Sequence, residues 1–299
     1  MDSAGRNEDP CRFISEMSTI CVFPGQGAQK QGMGEALFDG FPHEVAAADS
    51  ILGYSIRELC LENPEGRLGN TAFTQPALFI VSALGFLARS KEGAAPVDFV
   101  AGHSLGEYTA LFAAGAFDFE TGVRLVQERG RLMSEVKGGG MAAILGMAPA
   151  AIQQALADGG FGEVDLANQN SPKQTVIAGP KGDIESCAPV IQAAGGKVIP
   201  LDVSGAFHSR QMKPVALQFE SYLSEFSFGT LSIPVIANVT AKPYESADLV
   251  KTLAAQISSP VLWSDSVNYL LDQADPNFEE IGPGKVLSGL LRQIKAGRG

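Results

Sequence analysis

The sequence has 299 residues, of which 45% are hydrophobic and 18% are charged, and its formal net charge at pH 7 is −11. This length and composition are typical of a globular enzyme that forms one large domain, or one domain with an insert. The negative charge disfavours nucleic acids and anionic membrane surfaces as general partners, so we expect no binding to either.

The N-terminal residues 1–16 are polar and include acidic side chains, and we interpret them as a tail without a catalytic role. They lack the apolar segment of a secretory signal, and their acids argue against a transit peptide, so we predict a cytoplasmic protein. Met17, just before the first predicted strand, could be an alternative start. No apolar run approaches the roughly 20 residues that cross a bilayer, and no membrane-spanning helix is predicted.

The elements of the first half follow in a simple order. A strand is predicted over 19–24, and a turn-forming GQGAQ sequence and a helix-rich region follow it. A second strand is predicted over 97–102, and it leads through GHSLG into a helix of small residues. A long amphipathic helix is predicted over 118–137, where a run of glycines ends it.

Residues 139–205 have a different pattern, in which strands and helices alternate in the order βαββαβ. This is the order of a ferredoxin-like fold, and we predict a small subdomain with these boundaries. One of its helices is predicted over 181–195. The flanking segments, 17–138 and 206–299, are predicted to form one large α/β domain with a mostly parallel sheet.

The sequence Gly102-His103-Ser104-Leu105-Gly106 fits the pattern G-x-S-x-G between a predicted strand and a predicted helix. Small glycines allow a sharp turn that exposes the serine hydroxyl, and the N–H groups at the start of the helix point to the same place. We therefore predict that Ser104 is a nucleophile. The alternative is a structural turn that happens to match the pattern.

A serine nucleophile needs a base, and the chain has only three histidines. His103 adjoins the serine and is expected to point away and pack, and His43 lies in a loop-like stretch without other reactive groups. By elimination His208 is the predicted base, although it could be a structural histidine. Asp202 and Asp265 are possible orienting acids, but a backbone carbonyl could serve instead, which would leave a Ser–His dyad.

Arg129 is predicted to bind an anion. At about 100° per residue it falls in the middle of the apolar face of the 118–137 helix. A guanidinium among apolar neighbours is unfavourable unless an anion meets it, and its planar shape matches a carboxylate. The alternatives are a salt bridge to an internal acid, or a side chain that extends out to solvent.

No metal site is predicted. The cysteines are scattered without a CxxC pair, and with so few histidines they form no zinc-binding pattern, so we expect free thiols in a reducing compartment. The cysteines are Cys11, Cys21, Cys60 and Cys187.

From about Thr19 onward, the chain resembles the malonyl-CoA:acyl carrier protein transacylases of fatty-acid and polyketide synthesis. Chance agreement of eight short motifs in the right order is implausible. They are FPGQGAQ at 23–29, FTQPAL at 73–78, GHSLGEYTAL at 102–111, QERGRLM at 127–133, NQNSPKQTVIAG at 168–179, VSGAFHS at 203–209, QISSPVLW at 256–263 and EIGPGKVLSGL at 280–290.

The resemblance implies roles for residues at matching positions. Ser104 would carry the acyl ester and His208 would be the base. The backbone N–H groups of Gln26 and Leu105 would form the oxyanion hole. Gln256 would lie beside the active site, where its main-chain carbonyl would orient the histidine, in agreement with the missing acid.

The resemblance also implies the substrates and the fold. Arg129 would hold the malonyl carboxylate, and Phe207 would favour malonyl over methylmalonyl groups because a bulky ring leaves little room for an α-methyl. The fold would be an α/β-hydrolase-like core with a ferredoxin-like insert. No metal or bound cofactor would be needed, since the coenzyme A thioester is itself the substrate. The acyl carrier protein would be the partner, and we expect a monomer.

Two other functions remain open. A serine hydrolase or thioesterase could use the same G-x-S-x-G motif, although Arg129 and the missing acid favour a transferase. A non-catalytic binding protein would be expected to have lost Ser104 or His208. The segment 53–78 resembles the discrete, trans-acting acyltransferases of modular polyketide synthases, so we favour polyketide over fatty-acid synthesis.

Overall fold

The computed structural model describes residues 17–203 and 205–298, so the tail predicted over 1–16 lies outside the described residues. The described strands form two separate sheets. The strands are β1 Ser18–Phe23, β2 Phe99–Gly102, β3 Gly139–Leu145, β4 Asp165–Ser171, β5 Gln174–Pro180, β6 Lys197–Leu201, β7 Val235–Ile236 and β8 Pro276–Glu280.

Helices connect these strands and cover the sheets. They are α1 Glu35–Phe38, α2 Pro42–Leu52, α3 Ile56–Glu62, α4 Thr71–Lys91, α5 Gly106–Ala113, α6 Phe119–Glu135, α7 Pro149–Asp158, α8 Lys181–Ser186, α9 Ala188–Ala193, α10 Lys213–Leu223, α11 Leu249–Ala255, α12 Trp263–Leu271 and α13 Val286–Arg298. Short 3₁₀ segments lie at Pro64–Gly69, Arg210–Met212, Ser246–Asp248 and Gln256–Ser258. The single helix predicted over 181–195 is wrong. It is two helices, because Pro189 has no N–H with which to continue α8.

The larger sheet has the order β7-β2-β1-β8, and all its pairings are parallel, as predicted. Because β1 and β2 are neighbours, the loops that follow their carboxyl ends meet. Phe23 pairs with Gly102 at the last position of the register, and the His103 N–H donates to the Phe23 carbonyl at 3.0 Å. The GQG loop after β1 therefore lies beside the GHSLG turn after β2.

The smaller sheet has the order β4-β5-β3-β6, and all its pairings are antiparallel. Its separate apolar core includes Ile144, Ile152, Ile177 and Ile191 from β3, α7, β5 and α9. This arrangement confirms the ferredoxin-like class of the insert. The exact subdomain boundaries, 139–205 against 17–138 and 206–299, stay a prediction.

The smaller sheet is joined to the rest of the protein at β4, through the segment that precedes α12. The Gln169 N–H donates to the Val261 carbonyl, and the Val261 N–H donates to the Ala167 carbonyl, both at 2.9 Å. This short bridge places the face of the small sheet opposite the carboxyl ends of β1 and β2. A cleft lies between them, and it contains the GHSLG turn.

The prediction that no apolar run is long enough to cross a bilayer is wrong for helix α4. It has 21 residues with a mean hydropathy of 1.6, which satisfies that test by length and composition alone. The structure buries 67% of its most apolar window inside the protein, with Phe79 and Ile80 fully covered. Core helices of globular proteins satisfy the same test.

The tight packing around the GHSLG turn predicts that Gly102→Ala will strongly destabilise the protein. A Cβ atom there would lie 1.9 Å from the Gly106 carbonyl carbon, and overpacking of this kind costs about 1–3 kcal/mol or more. Gly289→Ala is the matched control, since its Cβ would meet nothing within 4 Å and α13 should gain up to about 1 kcal/mol. Urea unfolding followed by circular dichroism measures both. A wild-type midpoint for Gly102→Ala would contradict this account.

Candidate active site

The turn between β2 and α5 holds Ser104 in an unusual backbone conformation. Its φ angle is +51°, a left-handed value that costs a non-glycine residue free energy and persists only where the surroundings enforce it. The surroundings are close, because a Cβ on Gly106 would lie 2.0 Å from the Phe23 carbonyl oxygen. The sharp turn directs the Ser104 hydroxyl into the cleft.

Asn238 holds this turn through hydrogen bonds to its backbone. The sequence did not reveal this role. Its side-chain Oδ1 accepts from the Ser104 N–H, and its Nδ2 donates to the Gly102 carbonyl, each at 2.7 Å. Asn238 follows the short strand β7 and is fully buried. The Ser104 N–H is therefore occupied, so an oxyanion must be met by other N–H groups.

Ser104 and His208 lie in hydrogen-bond contact although they are 104 residues apart in the chain. The distance from Ser104 Oγ to His208 Nε2 is 2.7 Å. His208 Nδ1 lies 2.8 Å from the main-chain carbonyl oxygen of Gln256. Because a carbonyl only accepts, the proton resides on Nδ1, and the Nε2 lone pair faces the serine hydroxyl.

The orienting group is thus a backbone carbonyl, one of the alternatives that the sequence left open. Asp202 and Asp265 are exposed, and neither bonds to His208. Burial, and secondly the positive charge of Arg129, lower the pKa of His208 to about 3. The imidazole is consequently neutral over the physiological range, which is the form that can accept a proton.

The other two histidines form no hydrogen bond with this pair among the described residues. His103 Nε2 lies 2.7 Å from Asn170 Oδ1, and its ring packs against that of Trp263 with centroids 5.6 Å apart. His43 is exposed near the start of α2. His103 lines the cleft, but it forms no hydrogen bond with the Ser104 hydroxyl.

Helix α6 positions Arg129. The helix begins at an Asp118 cap, whose side chain accepts from the Thr121 N–H at 2.8 Å. Its apolar face packs on α4 and carries buried Leu125 and Val126. Arg129 lies on the same face and is 1% exposed. The structure therefore excludes a side chain that extends out to solvent.

The partners of the Arg129 guanidinium are neutral. Nη1 donates to Gln75 Oε1 at 2.8 Å, and Nη2 donates to Gln256 Oε1 at 2.9 Å and to Ser104 Oγ at 3.2 Å. No salt bridge to Arg129 is found within 17–203 and 205–298, and its Nε has no partner there. Among the described residues this buried cation has no salt-bridge partner, and beside a nucleophile it is suited to bind the anionic end of a substrate.

The cleft has a volume of about 470 Å³, and six of the seven predicted site residues line it. These are Gln26, Ser104, Leu105, Arg129, Phe207 and His208. The N–H groups of Gln26 and Leu105 have no hydrogen-bond acceptor among the described residues, so both are free to meet an oxyanion.

Gln256, which was grouped with the substrate-binding residues, does not line the cleft. It is fully buried behind Arg129 and His208 and contacts both of them, as well as the Ser104 carbonyl. Its contact with a substrate would therefore be indirect.

Glu107 is the most unexpected residue near the site. It is fully buried and accepts hydrogen bonds from the Asn238 N–H at 2.9 Å, from Gln256 Nε2 at 3.1 Å and from the Tyr244 hydroxyl. Burial raises its pKa to about 7, although these donors act in the opposite direction. A single charged residue in the otherwise uncharged and mostly apolar sequence EYTALFAAGA was the signal that could have identified it.

Metal-binding groups are not clustered in the described parts of the chain. Neither 17–203 nor 205–298 contains three or more His, Cys, Asp or Glu side chains arranged to hold an ion. Cys21, Cys60 and Cys187 are buried and free, and Cys11 lies outside the described residues.

The buried imidazole predicts that His208 will not titrate in its ordinary range. The NMR signal that disappears in His208→Ala should keep its shift between about pH 5 and pH 8. Folding should become less favourable as the pH falls from 6.5 towards about 3, because the unfolded imidazole then binds a proton that the folded one excludes. A titration midpoint near 6.5 would show that the ring is more solvated than its burial implies.

Comparison with known proteins identifies the family. The acyl transferase domain family matches residues 20–295 of this chain. The "Polyketide biosynthesis malonyl CoA-acyl carrier protein transacylase PksC" of Bacillus subtilis (strain 168) is 52% identical over 276 residues, which span 92% of this chain and 96% of PksC.

Solved structures agree with this match. Malonyl CoA-acyl carrier protein transacylase from Burkholderia pseudomallei has a TM-score of 0.91 and 45% identity, covering 94% of this chain and 98% of that one. A malonyl-transacylase solved in complex with its type II polyketide synthase acyl-carrier protein has a TM-score of 0.88 and 39% identity, covering 93% of each chain. The chain therefore belongs to the acyl transferase domain family, in the branch that contains these malonyl CoA-acyl carrier protein transacylases.

Proposed function

We propose that this protein transfers a malonyl group from malonyl-CoA to the phosphopantetheine thiol of an acyl carrier protein, through an acyl ester on Ser104. The observation that carries the proposal is the position of Arg129. Its guanidinium is buried without a salt-bridge partner among the described residues, and it lies 3.2 Å from the hydroxyl that would be acylated. The relatives named above as malonyl transacylases support the same substrates.

Loading begins when Ser104 Oγ attacks the thioester carbonyl and His208 Nε2 takes the hydroxyl proton. The 2.7 Å contact and the neutral imidazole support this step. The free N–H groups of Gln26 and Leu105 would stabilise the oxyanion, and one such donor is worth about 3–4 kcal/mol. Collapse breaks the C–S bond, and His208 returns its proton to the departing coenzyme A thiolate.

Unloading repeats these steps with a different nucleophile. The carrier's phosphopantetheine thiol gives its proton to His208 and attacks the ester on Ser104. A second oxyanion forms in the same place and collapses, and Ser104 recovers the proton from His208. No metal or bound cofactor enters this scheme, since the thioester is itself the activated substrate.

Arg129 would bind the free malonyl carboxylate during both steps. Its nitrogens now contact two glutamine side chains and the Ser104 hydroxyl, and a bidentate carboxylate is a stronger partner than any of these neutral groups. Phe207 is buried next to His208 and lines the cleft, a placement in which its ring would limit substituents on the malonyl α-carbon. Its preference for malonyl over methylmalonyl groups stays a prediction.

We also propose that the protein acts in polyketide synthesis, as a monomer in the cytoplasm. The relative at 52% identity is named for polyketide biosynthesis, and the structural relative in complex with a carrier protein works with a polyketide synthase carrier.

The proposed acyl ester predicts that malonyl-CoA will add the mass of one malonyl group to the peptide containing Ser104. Mass spectrometry after digestion should locate the adduct, and Ser104→Ala should carry none. Adding a phosphopantetheinylated carrier protein should remove the label and transfer it to the carrier. An adduct that water discharges as fast as the carrier does would instead indicate a thioesterase.

The proposed role of Arg129 predicts a change of substrate preference rather than a uniform loss. Arg129→Ala should lower kcat/KM for malonyl-CoA by about 10- to 100-fold, because charge-assisted hydrogen bonds contribute about 1.5–3 kcal/mol. It should affect acetyl-CoA, which lacks the carboxylate, much less. Arg129→Lys should restore only part of the preference, since an ammonium cannot form the planar bidentate contact.

Arg131→Ala is the matched control for this prediction. Arg131 lies on the same helix, but it is exposed and pairs with Glu128 and Glu135 on the solvent side. Its removal should leave the malonyl-to-acetyl ratio unchanged. If Arg129→Ala folds normally and also keeps the wild-type ratio, the arginine is structural.

A further inference from the structure

The mechanism above leaves one buried ionisable group unused. The Glu107 carboxylate is fully buried on α5 and does not line the cleft. It forms no salt bridge with any lysine, arginine or histidine in the described residues. Burying a carboxyl group without an ionic partner is costly, so its surroundings should show what it does.

Every group that contacts this carboxylate donates a hydrogen bond to it. Oε2 accepts from the Asn238 N–H at 2.9 Å and from Gln256 Nε2 at 3.1 Å, and Oε1 accepts from the Tyr244 hydroxyl. Asn238 holds the Ser104 turn, and Gln256 holds Arg129. Glu107 thus contacts both residues that position the active site, Asn238 at the serine turn and Gln256 at the arginine.

The side-chain amide of Gln256 has only one orientation that satisfies its neighbours. Nε2 donates to the Ser104 carbonyl at 2.8 Å and to Glu107, while Oε1 accepts from Arg129 Nη2 at 2.9 Å. A carbonyl can only accept and a guanidinium can only donate, and the Glu107 Oε2 that faces Nε2 also accepts from the Asn238 N–H. Rotating the amide by a half-turn would place N–H against N–H and oxygen against oxygen.

We propose that Glu107 is a positioning residue for malonyl transfer, whose carboxylate oxygen fixes the amide orientation of Gln256 and thereby holds the Arg129 guanidinium beside Ser104. The inference rests on the proposed function, because it takes Arg129 as the group that recognises the substrate carboxylate. A direct Glu107–Arg129 salt bridge would compete with the substrate for the guanidinium. A neutral amide between them orients the arginine and leaves it available to an anion.

Two substitutions separate this role from a merely structural one. Glu107→Gln keeps an oxygen that can accept from Gln256 and Asn238, and its NH₂ would face the Tyr244 hydroxyl, which can accept as well as donate. Glu107→Met has a similar shape but no acceptor for these donors, so the Gln256 amide is free to rotate. General structural damage would lower the rates with malonyl-CoA and acetyl-CoA alike.

The experiment is to measure kcat/KM for malonyl-CoA and acetyl-CoA with each variant, and to record its thermal unfolding. Glu107→Met should reduce the malonyl-to-acetyl preference by about tenfold or more, as expected for losing control of a hydrogen bond to a charged group. Glu107→Gln should keep the preference within about threefold, which is less than the loss of one hydrogen bond to a charged group would cause. An equal loss of preference in both variants, or none in Glu107→Met, overturns the proposal.

Gln256→Met provides a second measurement should Glu107→Met fail to fold. It removes the amide itself and should cause the same selective loss. Combining it with Glu107→Met should change the preference no further, because residues that act through one contact are not additive. An unchanged preference in Gln256→Met, or a further loss in the double variant, also overturns the proposal.

Arg129→Ala, measured in parallel, distinguishes a failure of the proposed function from a failure of the proposed role of Glu107. If it keeps the wild-type malonyl-to-acetyl ratio, the proposed recognition of the carboxylate fails, and Glu107 has no substrate contact to position. If it loses that ratio while Glu107→Met and Gln256→Met both keep it, the proposed function stands and only the role of Glu107 is wrong.

Discussion

The active site depends on one unusual burial, that of the Arg129 guanidinium beside the Ser104 hydroxyl. A cation removed from water needs hydrogen-bond acceptors, and this protein supplies neutral ones, Gln75 from α4 and Gln256 from the 3₁₀ segment after α11. Neutral acceptors satisfy the nitrogens without cancelling the charge. Two distant segments of the chain are therefore brought together around a cation whose charge remains available to a substrate.

The same positive charge influences the catalytic histidine. Burial and Arg129 together keep His208 neutral, so the ring carries no charge for a carboxylate to balance. An acid next to His208 would raise the pKa of the ring, and it would also offer Arg129 a competing partner within the site. A backbone carbonyl, here that of Gln256, orients the ring without either effect. Within the part of the chain that the structure describes, the absence of a catalytic acid beside His208 and the presence of Arg129 are thus parts of one electrostatic arrangement.

Gln256 connects the base, the cation and the nucleophile, because its main chain and its side chain bind different partners. The carbonyl oxygen holds His208, the side-chain oxygen holds Arg129, and the side-chain nitrogen contacts the Ser104 carbonyl and Glu107. A displacement of this one residue would move the base, the cation and the nucleophile together. Its complete burial, between the cleft and the core, agrees with such a role.

Several features could be predicted from the sequence because each leaves a local pattern. The glycines around Ser104 mark a turn between strand and helix, the 3.6-residue period places Arg129 on an apolar face, and three histidines are few enough to choose His208 by elimination. The βαββαβ order likewise predicts a ferredoxin-like unit before any contact is known.

The remaining features were decided by the tertiary structure. Every residue has a backbone carbonyl, so no local pattern marks the one at Gln256 that meets His208. Only the family resemblance pointed to it, because the two residues are 48 positions apart. Asn238 and Glu107 lie 131 positions apart, and they become neighbours only because β7 pairs with β2 next to the start of α5. Local periodicity reports which face of an element is buried, whereas the partner of a buried polar group depends on how distant elements pack.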